Sequence, residues 1–173
     1  MKKIYLSVVC LLISIPLIAQ LYVEPEKEVE CSVFLAKEGR GRAQQGLEIW
    51  DDYIFSCEDG GHVNIYDFKS ADPKPVAGFE LASSHPDNHV NNVCFGVETK
   101  RGASFPLLYI TNGKVGSELE WLCFVESITR RGKRFSSEIA QTIELDGSKW
   151  AEKGYVSIFG APSCLVDRER GFI

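Results

Sequence analysis

The sequence has little with which to build a metal centre or a redox motif. It holds three histidines in 173 residues and no CxxC pair, which removes the ligand spacing of a zinc ribbon and the dithiol of a thioredoxin-type site. No GxSxG occurs, so the nucleophile elbow of an α/β-hydrolase has no candidate. Basic residues number 19 against 24 acidic ones, for a net charge of −5. Nucleic acid and anionic membrane surfaces both ask for a basic footprint, so no nucleic-acid partner is expected. Helical periodicity is scarce after residue 20, and no apolar run reaches the ~20 residues of a membrane span.

What is present begins with an export address. In MKKIYLSVVCLLISIPLIAQ, Lys2 and Lys3 precede an apolar stretch from Ile4 to Ile15, Pro16 breaks it, and Ala19 supplies a small residue for cleavage. This reads as a signal peptide over 1–19. The chain is therefore expected to be exported, to periplasm, cell surface or medium, with no membrane span after cleavage. Residues 20–41 follow as an acidic lead-in containing Pro25. Five cysteines remain: Cys31, Cys57, Cys94, Cys123 and Cys164. Export permits disulfides. Four of the five nevertheless lie in apolar strand-like runs, and they read as small buried hydrophobes.

Short runs rich in β-branched and aromatic residues then alternate with turn signals. They are QGLEIW (45–50), DYIFSC (52–57), HVNIYDF (62–68), PVAGFELA (75–82), HVNNVCFGVE (89–98), FPLLYITN (105–112), LEWLCFVESI (119–128) and SEIAQTIEL (137–145). In HVNIYDF, Val63, Ile65 and Asp67 share one face, and His62, Asn64, Tyr66 and Phe68 the other. DYIFSC is apolar on both faces, as a strand between two layers would be. ITRRGKR (128–134) reads as a basic hairpin loop.

The eight runs fall into two sets of four. Each set has a polar lead-in, an apolar strand, a third strand and a fourth that ends in a matching triplet, Phe79-Glu80-Leu81 and Ile143-Glu144-Leu145. A four-stranded unit of ~40–50 residues is the size of a β-propeller blade. The fold expected is all-β: an incomplete β-propeller over 42–173. Blade one covers about 44–82 and blade two about 89–146. A third starts at about 162–173 with a strand at Ser163–Val166. A β-sandwich of eight strands competes with this reading; the recurrence of the unit favours the propeller. Ile173 falls inside a strand-like run, which suggests a truncated propeller. Its unpaired blade face would be prone to self-association.

The pattern AQQGLEIWDDYIFSCEDGGHVNIYDF, PVAGFEL, NHVNNVCFG, PLLYITN, CFVESI and AQTIEL resembles the first two blades of a family of exported β-propeller proteins of Bacteroidetes type. The resemblance covers Arg42 to about Leu145. It implies architecture and no particular activity, because this fold carries cyclases, lyases, glycosidases and plain binding modules.

In a propeller the innermost strand lines a central funnel, so the residues leading into it are the candidate ligand contacts. They are Arg42 and Gln44 before the first unit, and His85, Asp87, His89, Asn91 and Asn92 before the second. Arg40 and Arg42 could grip a carboxylate or an acidic sugar. His85, Asp87 and His89 offer metal-type donors, but Pro86 denies them a helical face, and neither a metal nor a cofactor is expected. Glu58-Asp59-Gly60-Gly61 reads as an acidic hairpin turn, since the alternating ligands of a calcium loop are missing. Trp50, Trp121 and Trp150 read as packing residues, with Trp150 the better candidate for an exposed platform. Together these features point to an exported binding or scaffold module for a carbohydrate or protein. An enzyme acting on carbohydrate or peptide from the same funnel is the alternative.

Overall fold

The computed structural model describes residues 42–114, 116–144, 152, 154 and 163–171. The expected signal peptide over 1–19, the lead-in over 20–41, Arg40, Cys31 and Trp150 lie outside these residues. All eight expected strands form: β1 (Gln44–Trp50), β2 (Tyr53–Glu58), β3 (His62–Asp67), β4 (Ala77–Glu80), β5 (Asn92–Phe95), β6 (Leu108–Thr111), β7 (Leu122–Arg131) and β8 (Arg134–Glu144). There is no helix among the described residues. None there is long and apolar enough to cross a membrane.

The protein is all-β, with two four-stranded antiparallel sheets. Each sheet runs in chain order, β1-β2-β3-β4 and β5-β6-β7-β8. The first strands of the two sheets approach each other, as do the last, β1 with β5 and β4 with β8. The core lies between the sheets. Alternation sends Phe55 and Cys57 of β2 and Val63 and Ile65 of β3 toward Val93, Phe95, Leu108, Ile110, Phe124 and Ile128 of the second sheet. Phe55 sits at its centre, edge-on to Phe95 at 5.0 Å and to Phe105 at 5.1 Å between ring centroids. Such edge-to-face pairs add about 0.5–1.5 kcal/mol each to the area they bury.

Gly46 allows the close approach of β1 to β5. A Cβ there would lie 3.0 Å from a methyl of Val93 and 3.3 Å from the carbonyl oxygen of Val90. The opposite face of β2 and β3 is also buried, with Ile54, Ser56, Glu58, Asn64 and Tyr66 all enclosed. Both faces of DYIFSC are thus covered, as its unbroken apolar character implies. Trp50 packs on Phe95 at 5.6 Å, consistent with a packing residue.

Two local expectations differ from the structure. ITRRGKR is mostly strand: β7 continues to Arg131 and β8 starts at Arg134. The turn shrinks to Gly132-Lys133, with Gly132 at φ 64°, a left-handed conformation that glycine adopts without steric cost. Residues 163–166 form no strand. Their amides go to side chains instead, Cys164 N–H to Asn92 Oδ1 at 3.1 Å and Val166 N–H to Cys94 Sγ at 3.4 Å. The segment lies on the far face of the second sheet, where Val166 and Cys164 pack with Cys94, Tyr109, Cys123 and Val125.

Candidate functional site

One end of the first sheet gathers three pieces of chain: the start of β1, the β2–β3 turn at residues 59–61, and the crossover from β4 to β5. Gly60 and Gly61 take φ of 93° and 96°, and this opens the turn toward the crossover. Gly60 N–H donates to Asn88 O at 2.8 Å, and its carbonyl accepts from His85 N–H at 3.2 Å and Ser84 Oγ–H at 2.8 Å. Buried Asn88 holds the crossover from inside, donating to Ser83 O at 2.9 Å and accepting from Val90 N–H at 3.1 Å. Val90 takes φ 38°, a strained conformation for a β-branched residue. It is kept there by that bond and by full burial.

A cavity of about 200 Å³ opens between these pieces, walled by Arg42, Glu58, Asp59, His62, Ser84 and His85, with Glu80 beside them. Register places His62 opposite Glu80. His62 Nδ1 and Glu80 Oε1 are 2.9 Å apart. A carboxylate only accepts, so Nδ1 carries the proton. Glu80 Oε2 lies 3.2 Å from Ser84 Oγ, an alternative acceptor to Gly60 O for the one hydroxyl proton. His85 Nδ1 accepts from Asp87 N–H at 3.1 Å, which places the proton of the neutral ring on Nε2. Arg42 lies over Gly60 and reaches Asp59 O at 3.4 Å.

Glu58 is fully buried. Its Oε1 accepts from Asn64 Nδ2 at 2.9 Å, while Oε2 has no hydrogen-bond partner. A half-satisfied buried carboxylate is costly, and sites that bind ligands are where such cost is commonly kept. Glu58→Gln keeps the Asn64 bond and removes the charge. It is expected to raise stability by about 1 kcal/mol, read as a melting midpoint higher by ~2–4 °C. An unchanged or lower midpoint would mean the charge is compensated.

The structure separates the residues singled out from sequence. Arg42 and His85 wall the cavity. His89 stands on the other side of the turn, with Nε2 at 3.3 Å from Gln45 Nε2 and 4.0 Å from Asp59 Oδ1. Asp87 pairs with Lys114. The hydrogen bond from Lys114 holds its carboxyl below the usual carboxylate range. Gln44 begins β1 opposite Glu58 in register. Asn91 packs on Gly113, and Asn92 anchors Cys164. Glu58, His62, Glu80 and Ser84 were not singled out as contacts. Only the Glu58-Asp59-Gly60-Gly61 turn hinted at them, and it was read as a turn.

Chemically, the wall offers carboxylate acceptors with donors from Arg42, His85 and Ser84. The order Ser84–Glu80–His62 differs from that of a hydrolase triad, in which the imidazole lies between hydroxyl and carboxylate and takes the hydroxyl proton. Among the described residues no three histidine, cysteine or acidic side chains converge on a metal position. No protein-family profile matches the chain, and no curated protein matches it.

Proposed function

We propose that this chain is an exported, β-propeller-type binding or scaffold module. We further propose that its ligand is a neutral saccharide held in the cavity at the β2–β3 turn. The observation that carries the reading is the cavity wall itself: the carboxylates of Asp59 and of Glu58, with its unpartnered Oε2, set beside a guanidinium, a hydroxyl and an imidazole that can give or take a hydrogen bond. Sugar hydroxyls both donate and accept and suit such a wall. At about 200 Å³ the space is smaller than the ~300–1,000 Å³ of a drug-sized site, so it suits one ring of a glycan rather than a whole cofactor. Clustered carboxylates disfavour an acidic sugar. The export half of the reading rests on residues 1–19. The propeller half rests on the recurrence of the four-strand unit, and two sheets stacked first strand to first strand are compatible with it. The enzyme alternative gains nothing from the Ser84–Glu80–His62 order.

The test is a titration of the 15N-labelled protein with galactose, glucose and glucuronate. Saturable shifts at Gly60, His62, Ser84 and His85 with a neutral hexose are expected, and weaker ones with glucuronate. Asp59→Asn should weaken binding about tenfold, the loss of one charge-assisted hydrogen bond. No saturable shift with any sugar, or shifts that Asp59→Asn leaves unchanged, would overturn the saccharide reading.

A further inference from the structure

The far face of the second sheet brings together three thiols that the cavity does not use. Cys94 and Cys123 are buried there, and Cys164 arrives from the 163–171 segment to pack beside them. Cys164 is fixed at both ends of its residue. Its amide donates to Asn92 Oδ1 at 3.1 Å, and its thiol lies 3.6 Å from the same oxygen and 3.9 Å from Tyr109 O. Cys123 and Cys164 belong to one packed cluster on this face, and the electrostatics of each thiol is shaped by the other. Cys94 is engaged otherwise, its sulfur accepting Val166 N–H and lying 3.6 Å from Phe95 O.

We propose that Cys123 and Cys164 form a disulfide that fastens the 163–171 segment to the second sheet. The positions are held by backbone on both sides. Cys123 is paired with Thr111 and Ile143 within the sheet, and Cys164 is held by Asn92. Two thiols packed into one cluster and held by backbone at both ends are placed for a bond between them.

The chemistry is thiol–disulfide exchange with a small disulfide oxidant such as oxidised glutathione. Cys164 is the more accessible of the two, being half-buried where Cys123 is buried. Its sulfur attacks the oxidant, forms a mixed disulfide and expels one glutathione thiolate. Cys123 sulfur then attacks Cys164 sulfur and expels the second. Two thiols lose two protons and two electrons; the oxidant leaves as two glutathione thiols. The neighbouring Cys164 thiol pulls the Cys123 thiol below its ordinary range, against the opposing effect of burial. The Cys123 thiol and burial push Cys164 up. Cys123 makes the second, resolving attack because its buried sulfur meets the mixed disulfide only at Cys164.

The bond would close a loop of roughly forty residues, long enough to stabilise by constraining the unfolded chain. The inference does not depend on the saccharide cavity.

The full chain is held folded, without denaturant, in oxidised or reduced glutathione, alkylated, digested without reduction and mapped by mass spectrometry. The expected result is a Cys123–Cys164 linked peptide in the oxidised sample only. Its melting midpoint should be about 5–15 °C above the reduced sample. That rise should be absent in Cys164→Ser. All thiols alkylated after oxidation would overturn the proposal. So would a link from Cys94 to either partner, or one between two chains.

Discussion

Glu126→Ala is expected to lower stability by about 2–4 kcal/mol. Glu126 is fully buried on β7. Oε1 accepts Ser83 N–H at 2.8 Å, and Oε2 accepts the Ser137 hydroxyl and Ala82 N–H at 2.9 Å, an amide shared with Ser137 Oγ at 2.9 Å. One carboxylate of the second sheet thus satisfies two successive amides of the crossover that leaves the first. Alanine would strand the buried Ser83 N–H and leave Ala82 N–H to Ser137 Oγ alone, and a stranded buried group costs about 1–3 kcal/mol. Alternation along β7 turns Val125 to the far face and Glu126, like Phe124 and Ile128, to the inner one, while the register shift passes over Ala140 of β8. The charge has a second effect. Burial first, then the Glu126 carboxylate, push the Cys57 thiol well above its ordinary range, so Cys57 is a hydrophobe and not a nucleophile. Urea denaturation measures the loss. Amide exchange at Ala82 and Ser83 should quicken more than at β2, because the crossover opens locally once the acceptor is gone. Glu126→Gln should retain part of the stability, since its amide oxygen still accepts one of the two amides. A Glu126→Ala protein as stable as the parent would mean these amides find other partners.

The strands were legible because alternation is a local signal. Val63, Ile65 and Asp67 opposite Asn64 and Tyr66 can be read from six residues, and so can the two-sided burial of Tyr53–Glu58. The ends of strands were less legible. The basic run before Gly132 suggested a loop, yet charged side chains on a hairpin tip stay solvated while their backbone remains paired. Arg130 shows how: its guanidinium lies 4.8 Å from the Tyr53 ring centre, and its backbone stays in β7. The strand expected at Ser163–Val166 failed for a different reason. Asn92 and Cys94, seventy residues earlier in the chain, offer acceptors that a local pattern cannot show. The cavity was half legible. Arg42 and His85 stand out by flanking turn signals. Glu58, His62, Glu80 and Ser84 meet only through the register of β3 against β4 and the path of the crossover. Register is set by the hydrophobic faces of whole strands and not by the polar residues it brings together.

Phe55→Ala tests the arrangement of the two sheets. Phe55 is fully buried on β2 of the first sheet. Besides Phe95 and Phe105 it reaches Phe135 of β8, with centroids 6.4 Å apart. Removing the ring deletes contacts to β5, to the loop before β6 and to β8 at once, and the neighbours held on backbone can collapse into the space only in part. The expected cost is about 3–5 kcal/mol, against about 1–2 kcal/mol for Phe55→Leu, which refills most of the volume. With ~2 kcal/mol per molar of urea, the alanine variant should unfold about 2 M earlier. The shape of the transition is as informative as its midpoint. If the ring cluster joins the sheets into one cooperative unit, fluorescence of Trp50 in the first sheet, read with Trp121→Phe and Trp150→Phe in place, and far-ultraviolet dichroism of all strands will shift together and stay superimposable. Two separated transitions in the parent, with only the first moved by Phe55→Ala, would show that each sheet holds itself together and that the interface contributes little. Hexose binding, corrected for the folded fraction, should be unchanged in Phe55→Leu, because Phe55 is not among the residues of the cavity wall.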